Sequence, residues 1–146
     1  MATFSRSVDV DWSGPIMEGK GEAKAGSGAF TLPVTFPSRI GEPAGRTSPE
    51  ELIAAAHASC YAMALNATVG RKGGAIGRTR ITATVTADKG ESGIKLTTSK
   101  LKVVAEGLTG IDKSQFPDVA REAEKNCPIS NALRGNLQIE VDAQAT

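Results

Sequence analysis

The chain has 146 residues, of which 40% are hydrophobic and 23% are charged. This size suffices for one well-buried domain and is too small for two ordinary ones, so we expect a single domain over residues 1–146. The formal net charge of +1 and the scattered cations provide no basic stripe for a phosphate backbone, which argues against nucleic acid as a partner.

The first ten residues lack the apolar core of a signal sequence, and no stretch of the chain approaches the length of a membrane span. We therefore expect a cytoplasmic protein.

The N-terminal segment is predicted to form strands. Residues 3–12 alternate as in a half-buried strand, with one side formed by Phe4, Val8, Val10 and Trp12. The Gly-rich residues 19–28 predict a weak second strand, and residues 29–36 predict a third.

Residues 37–47 are predicted to form an ordered, irregular loop because they are rich in Gly and Pro. The loop carries Arg39 and Arg46, and it leads directly into the most apolar helix of the chain.

That helix is predicted to run from Ser48 to about Gly70. Ser48 is a favourable N-cap, Pro49 suits the first helical position, and Glu50 and Glu51 place negative charge at the positive end of the helix dipole. The spacing of three and four residues predicts one buried face, formed by Leu52, Ala56, Cys60, Met63 and Ala67. We therefore place Cys60 at the centre of the protein.

The remaining residues predict three strands and two further helical segments. Residues 81–87 alternate as a strand, and residues 94–105 change their inward parity near Ser99, which indicates a β-bulge. Residues 137–143 predict the last strand. This order predicts an α+β fold in which an antiparallel sheet packs on two main helices.

The second main helix is predicted over residues 114–126. Its buried side chains are predicted to be Phe116, Val119, Ala120, Ala123 and Cys127, and its water-facing ones Arg121, Glu122, Glu124 and Lys125. Pro128 follows Cys127 directly, which predicts that Cys127 is the N-cap of a short third helix.

The two cysteines are either small buried hydrophobic residues, which is the more common case in a cytosolic protein, or a redox pair. Three features favour reactivity. Small alanines surround Cys60, the helix start at Cys127 offers free N–H groups, and an arginine is available on the loop. A thiol of ordinary pKa is only about 3% ionised at pH 7, and a buried arginine would supply most of the stabilisation that a thiolate needs.

Helix geometry limits which charged groups reach Cys60. Glu50 lies about 15 Å from Cys60 along one continuous helix, so it would have to act in another subunit, whereas Glu51 is expected to be solvated. His57 is one turn before Cys60, where it is a metal ligand, a base for the thiol, or a packed and hydrogen-bonded residue. We favour the last role and predict no metal, because a metal site needs at least three protein ligands.

Two motifs resemble the OsmC/Ohr family of thiol peroxidases. The run SPEELIAAAHASCYAMAL resembles the family pattern NPEELIxAAHAxCFSMAL, and the second family signature, NCPIS, is intact at residues 126–130. The HAxC sequence resembles the osmotically inducible branch rather than the organic hydroperoxide resistance branch. This resemblance implies an intertwined homodimer with its active sites at the subunit interface.

The resemblance also implies a role for each site residue. Cys60 would be the peroxidatic thiolate, Cys127 the resolving thiol, Arg39 the activating cation and Glu50 the carboxylate that orients it. Arg46 is the alternative cation, because Arg39 stands in Ser-Arg-Ile where the family has Thr-Arg-Phe.

The implied reaction reduces organic hydroperoxides through a Cys60 sulfenic acid and a Cys60–Cys127 disulfide. It uses no cofactor, and the reductant is a dithiol or a lipoylated protein. The alternatives are a general thiol–disulfide oxidoreductase and a stress protein whose cysteines only sense oxidation.

Overall fold

A computed structural model describes residues 2–146. The chain divides into two compact units, with the boundary between Pro49 and Glu50. The expectation of a single domain over residues 1–146 stays a prediction.

The first unit is built on a three-stranded antiparallel sheet. Its strands are β1 (Val8–Ser13), β2 (Lys20–Ala25) and β3 (Thr31–Val34), in the order β1-β2-β3. The weak second strand is thus confirmed.

Every residue of β1 is exposed rather than alternately buried, although Trp12 is only 42% exposed. Val8, Val10 and Trp12 do share one face, and they pair with the small, buried Ala25, Ala23 and Gly21 of β2. The Trp12 ring lies so close to Gly21 that a Cβ there would come within 2.8 Å of it. Val8, Val10 and Trp12 therefore cover the small residues of β2, and their own outer surfaces are exposed to solvent.

The segment that we expected to be irregular begins with a short helix, α1 (Phe36–Ile40). Thr35 caps this helix, because its hydroxyl accepts a hydrogen bond from the Ser38 N–H at 3.2 Å, and Pro37 lies in its first turn. Arg39 consequently sits in the last turn of a helix and not on a loop.

The second unit contains the long helix α2 (Pro49–Arg71), followed by the antiparallel strands β4 (Arg78–Gly90) and β5 (Gly93–Glu106). A 3₁₀ turn (Lys113–Gln115) leads into α3 (Phe116–Lys125) and the short α4 (Pro128–Leu133), and β6 (Gln138–Ala145) ends the unit. The bounds of α2 agree closely with the expected ones.

The α+β class is confirmed, although the sheet differs in detail from the expected one. Residues 2–146 contain two three-stranded sheets, and β6 pairs parallel to β5, from Thr98 opposite Gln138 to Ala105 opposite Ala145. Parallel neighbours need a long crossover connection, and the segment with α3 and α4 provides it. The bulge is confirmed slightly before Ser99: the register shifts opposite Thr86 and Ala87, where Thr97 is the extra residue.

The core of the second unit lies where α2 and α3 pack on β5. Its largest members are Tyr61, Leu65, Leu101 and Phe116, which are fully buried. The expected face of α3 is confirmed, except that Glu124 is only 7% exposed; Arg134 Nη2 lies 2.8 Å from its Oε1 and compensates the buried charge.

The buried face of α2 differs from the predicted one. It consists of His57, Tyr61, Leu65, Thr68 and Val69, whereas Met63 is 74% exposed and Cys60 is half-buried at the edge of the face. A helix rich in alanine is apolar on several sides, so spacing alone does not determine which side faces the core.

The expectation that no stretch could cross a membrane is wrong as a statement about length and composition. α2 is long and apolar enough to do so. Its buried residues nevertheless include the polar His57 and Thr68, and Leu65 and Val69 belong to the core of the second unit.

Candidate active site

The fold brings the two cysteines into contact. Cys60 lies in the middle of α2 and is half-buried, and Cys127 precedes α4 and is fully buried. Both are free thiols, and Cys60 packs against the core cluster that contains Cys127. The two thiols therefore lie close enough for Cys127 to raise the pKa of Cys60, although they are remote in the chain.

The first turn of α4 places backbone N–H groups beside both thiols. Cys127 is the N-cap, as predicted, and its Sγ accepts from the Ser130 N–H at 3.4 Å. The Ile129 N–H lies near the Cys60 thiol and acts to lower its pKa. Pro128 occupies the position in which a missing N–H costs nothing. A six-residue helix thus serves both thiols with its otherwise unpaired donors.

These surroundings favour the neutral form of Cys60. Burial raises the pKa of the Cys60 thiol, the adjacent Cys127 raises it further, and the hydrogen bond from the Ile129 N–H acts in the opposite direction. Because burial outweighs the effect of the Ile129 N–H, these groups alone do not give the ionised Cys60 that the sequence predicts. A thiolate near pH 7 requires a positive charge in addition.

His57 is the packed, hydrogen-bonded residue that we favoured. Its Nδ1 lies 2.7 Å from Ser99 Oγ and its Nε2 lies 2.7 Å from Ser130 Oγ, and all three residues are fully buried. Burial lowers the pKa of His57, and the negative charge of Glu124 only partly opposes this, so the ring is neutral near pH 7. Since both ring nitrogens bond to serine hydroxyls, His57 links α2 to β5 and α4.

Tyr61 is a second buried polar residue on the same face of α2. Its hydroxyl donates to the Ala120 carbonyl of α3 at 2.8 Å, and burial raises the pKa of this phenol, which stays neutral. Sequence reasoning missed Ser99, Ser130 and the role of Tyr61. One signal was present for Ser99, because it occupies an inward position on a strand whose other inward residues are Leu101, Val103 and Ala105.

The other expected site residues are two arginines that precede α2 and a glutamate at its start. Arg39 is in α1, in the first unit, and Arg46 follows two residues of positive φ, Ala44 and Gly45. Glu50 is in the first turn of α2. Since α2 is continuous from Pro49 to Arg71, the separation of about 15 Å between Glu50 and Cys60 along its axis stands.

Residues 41–142 match the family model described as OsmC-like protein. The chain is 34% identical to peroxiredoxin OsmC from Escherichia coli (strain K12), over 94% of this chain and 96% of that protein. It is 27% identical to the organic hydroperoxide resistance protein of Xanthomonas axonopodis pv. citri (strain 306), over 82% and 83% of the two chains. The chain therefore belongs to the OsmC-like family, as the two motifs indicated.

Solved structures agree with this assignment. OhrB, the organic hydroperoxide resistance protein of Bacillus subtilis, superposes with a TM-score of 0.72 at 25% identity and covers 94% of this chain and 98% of its own. An organic hydroperoxide resistance protein OsmC from Legionella pneumophila superposes with a TM-score of 0.76 at 24% identity, with 99% of both chains covered. The fold is that of OsmC and Ohr proteins, and the relatives' names support a peroxidase-like role at the level of the family.

The neutral, buried His57 predicts a pH dependence of stability. In the unfolded chain a histidine takes up its proton near pH 6.5, whereas folded His57 does so only at lower pH. Below about pH 6.5 the unfolded state thus binds more protons than the folded state. As the pH is lowered through this range, the free energy of unfolding should fall by up to about 1.4 kcal/mol per pH unit. Urea unfolding between pH 7 and pH 5 measures this slope.

His57→Gln is the control for this prediction, because His57 is the single histidine of the chain and glutamine does not titrate. The variant should lose the part of the slope that belongs to the imidazole. Equal slopes in the two proteins would show that folded His57 titrates at its ordinary value.

Proposed function

We propose that this protein is a cysteine-based peroxidase that reduces organic hydroperoxides to alcohols. The observation that carries the proposal is the proximity of the two thiols, with Cys127 at the cap of α4 and Cys60 packed against the core cluster that contains it. Membership of a family with relatives named peroxiredoxin and organic hydroperoxide resistance protein supports the same chemistry.

The reaction has two steps. The Cys60 thiolate attacks the distal oxygen of the hydroperoxide, the O–O bond breaks, and the alkoxide takes a proton to leave as the alcohol, so that Cys60 becomes a sulfenic acid. The Cys127 sulfur then attacks the Cys60 sulfur, and hydroxide leaves with the Cys127 proton as water. The product is the Cys60–Cys127 disulfide, which a dithiol or a lipoylated protein reduces. Both steps use only side chains of the protein and the hydroperoxide. We propose that the protein acts in the cytoplasm.

Arg39 is the cation that we assign to the thiolate, with Glu50 as the carboxylate that orients it. A cation is required because burial and Cys127 both raise the pKa of Cys60. Glu50 stands too far along α2 from the Cys60 of its own chain, so it serves the site of a second copy, and the active form is a homodimer. The exposed apolar side chains of β1 and Met63 on α2 support burial against that copy.

Mass spectrometry of the intact chain tests the two thiol roles. After treatment with limiting tert-butyl hydroperoxide, the wild-type chain should lose two hydrogen atoms as the disulfide forms. Cys127→Ser should instead gain one oxygen, as a sulfenic acid that dimedone traps, and Cys60→Ser should do neither. If Cys60 reacts with the peroxide no faster than free cysteine does, the protein is a redox sensor or a general oxidoreductase and not a peroxidase.

Two arginine variants decide which cation activates Cys60. An ordinary thiol is only about 3% ionised at pH 7, so loss of the activating cation should reduce the thiolate fraction about 30-fold, and Arg39→Gln should slow the reaction of Cys60 with tert-butyl hydroperoxide by about that factor. Arg46→Gln, the matched control on the same segment, should change it less than threefold. Stopped-flow kinetics at pH 7 provide both numbers, and the reverse pattern would assign the role to Arg46.

Mixed dimers test whether Glu50 acts across subunits. Cys60→Ser and Glu50→Gln homodimers should both be nearly inactive. A heterodimer of the two chains holds one site with an intact Cys60 and an intact Glu50 from the partner, so random mixing should restore about a quarter of the wild-type turnover. If Glu50 acted within its own chain, the mixture would stay as inactive as the two parents.

A further inference from the structure

The position of α4 relative to α2 determines the polar surroundings of both thiols, because the first turn of α4 donates the Ser130 N–H to Cys127 and places the Ile129 N–H near Cys60. α4 has only six residues, and helices of this length are not stable by themselves. Its position must therefore be fixed by side chains that reach it from other elements.

Ile129 and the cap residue Cys127 pack this turn against the core, and His57 adds a buried polar contact with a defined direction. Ser130, whose backbone N–H donates to Cys127, turns its hydroxyl inward to His57 Nε2 at 2.7 Å. Ser99 on β5 holds the other ring nitrogen at 2.7 Å and so determines the direction of the ring. Within the described residues, two other polar side-chain contacts join the α4 region to α3, and both lie beyond the first turn of α4: Asn131 Nδ2 donates to the Lys125 carbonyl at 3.1 Å in an exposed position, and the C-cap residue Arg134 pairs with Glu124 at 2.8 Å.

We propose that His57 is a positioning residue that holds the first turn of α4 against α2 through Ser130, so that one turn of backbone serves Cys60 and Cys127 together. His57 does not take part in the chemistry, since serine hydroxyls occupy both of its nitrogens. Its kinetic consequence rests on the proposed function: with α4 held in place, the Cys127 sulfur lies ready to attack the Cys60 sulfenic acid.

Two substitutions of His57 separate its two contacts. The side-chain amide of glutamine reaches about as far as Nε2 and can keep the bond to Ser130, whereas the amide of asparagine reaches about as far as Nδ1 and can keep only the bond to Ser99. Ser130→Ala removes the same link from the other end. Tyr61→Phe is the matched control, because it deletes a buried hydroxyl of α2 that bonds to α3 and not to α4.

The first measurement needs no peroxide. The pH dependence of Cys60 alkylation by iodoacetamide, read by mass spectrometry of the Cys60 peptide, reports the Ile129 N–H that stabilises its thiolate. We expect the midpoint to rise by about half a pH unit in His57→Asn and Ser130→Ala, and to stay at the wild-type value in His57→Gln and Tyr61→Phe.

The second measurement is the rate of disulfide formation after one equivalent of tert-butyl hydroperoxide, followed by rapid acid quench and mass spectrometry. Disulfide formation should be about tenfold slower in His57→Asn and Ser130→Ala, with more sulfenic acid trapped by dimedone, and within twofold of the wild type in His57→Gln and Tyr61→Phe.

Equal behaviour of His57→Asn and His57→Gln, or wild-type behaviour of Ser130→Ala, would overturn the proposal. If the His57 variants do not fold, Ser130→Ala against Tyr61→Phe decides in the same way. A failure of the proposed function is recognised separately, because the wild type would then form no disulfide with peroxide while the alkylation midpoints still reveal whether His57 holds α4.

Discussion

The rotation of α2 about its own axis is set by polar groups that it buries. His57 and Tyr61 lie one turn apart on its inner face, and their three polar atoms bond to Ser99, Ser130 and the Ala120 carbonyl. A buried polar atom left unpaired costs about 1–3 kcal/mol, so any other rotation would lose several such bonds together. Cys60 immediately precedes Tyr61 and is thereby placed at the edge of the core, where it packs against the cluster that contains Cys127 and is only half-buried.

This placement divides the two thiols by accessibility. Cys127 is fully buried beneath α4, whereas Cys60 is half-buried. In the proposed reaction the asymmetry sets the order of events: a hydroperoxide reaches Cys60 first, Cys127 is protected from direct oxidation, and the incoming reductant attacks the disulfide at the Cys60 sulfur. The same burial opposes ionisation of Cys60. Protection of the pair and activation of the attacking thiol are therefore competing demands, and in the proposed reaction Arg39 is the cation assigned to reconcile them.

Local signals in the sequence predicted most elements, and non-local contacts account for the differences. Proline after Cys127 and acidic residues after Ser48 mark helix starts through short-range sterics and electrostatics, so the start of α2 and the cap of α4 were predictable. The direction of β6 was not, because it depends on the path of α3 and α4 between the paired strands. Glu124 was assigned to the water-facing side of α3, since nothing near it in sequence reveals that Arg134 compensates its charge.

The network around His57 shows most clearly why such a site resists prediction from one sequence. Ser99 and Ser130 lie 42 and 73 residues from His57, and neither serine has a local feature that identifies its partner. Their energetics are also collective. Replacing His57 by leucine would bury apolar surface yet strand two serine hydroxyls, and replacing either serine would strand a ring nitrogen. A pairwise propensity cannot represent a set of three residues that is favourable only when complete. The network of His57, Ser99 and Ser130 therefore favours one arrangement of α2, β5 and α4 and does not stabilise alternative arrangements.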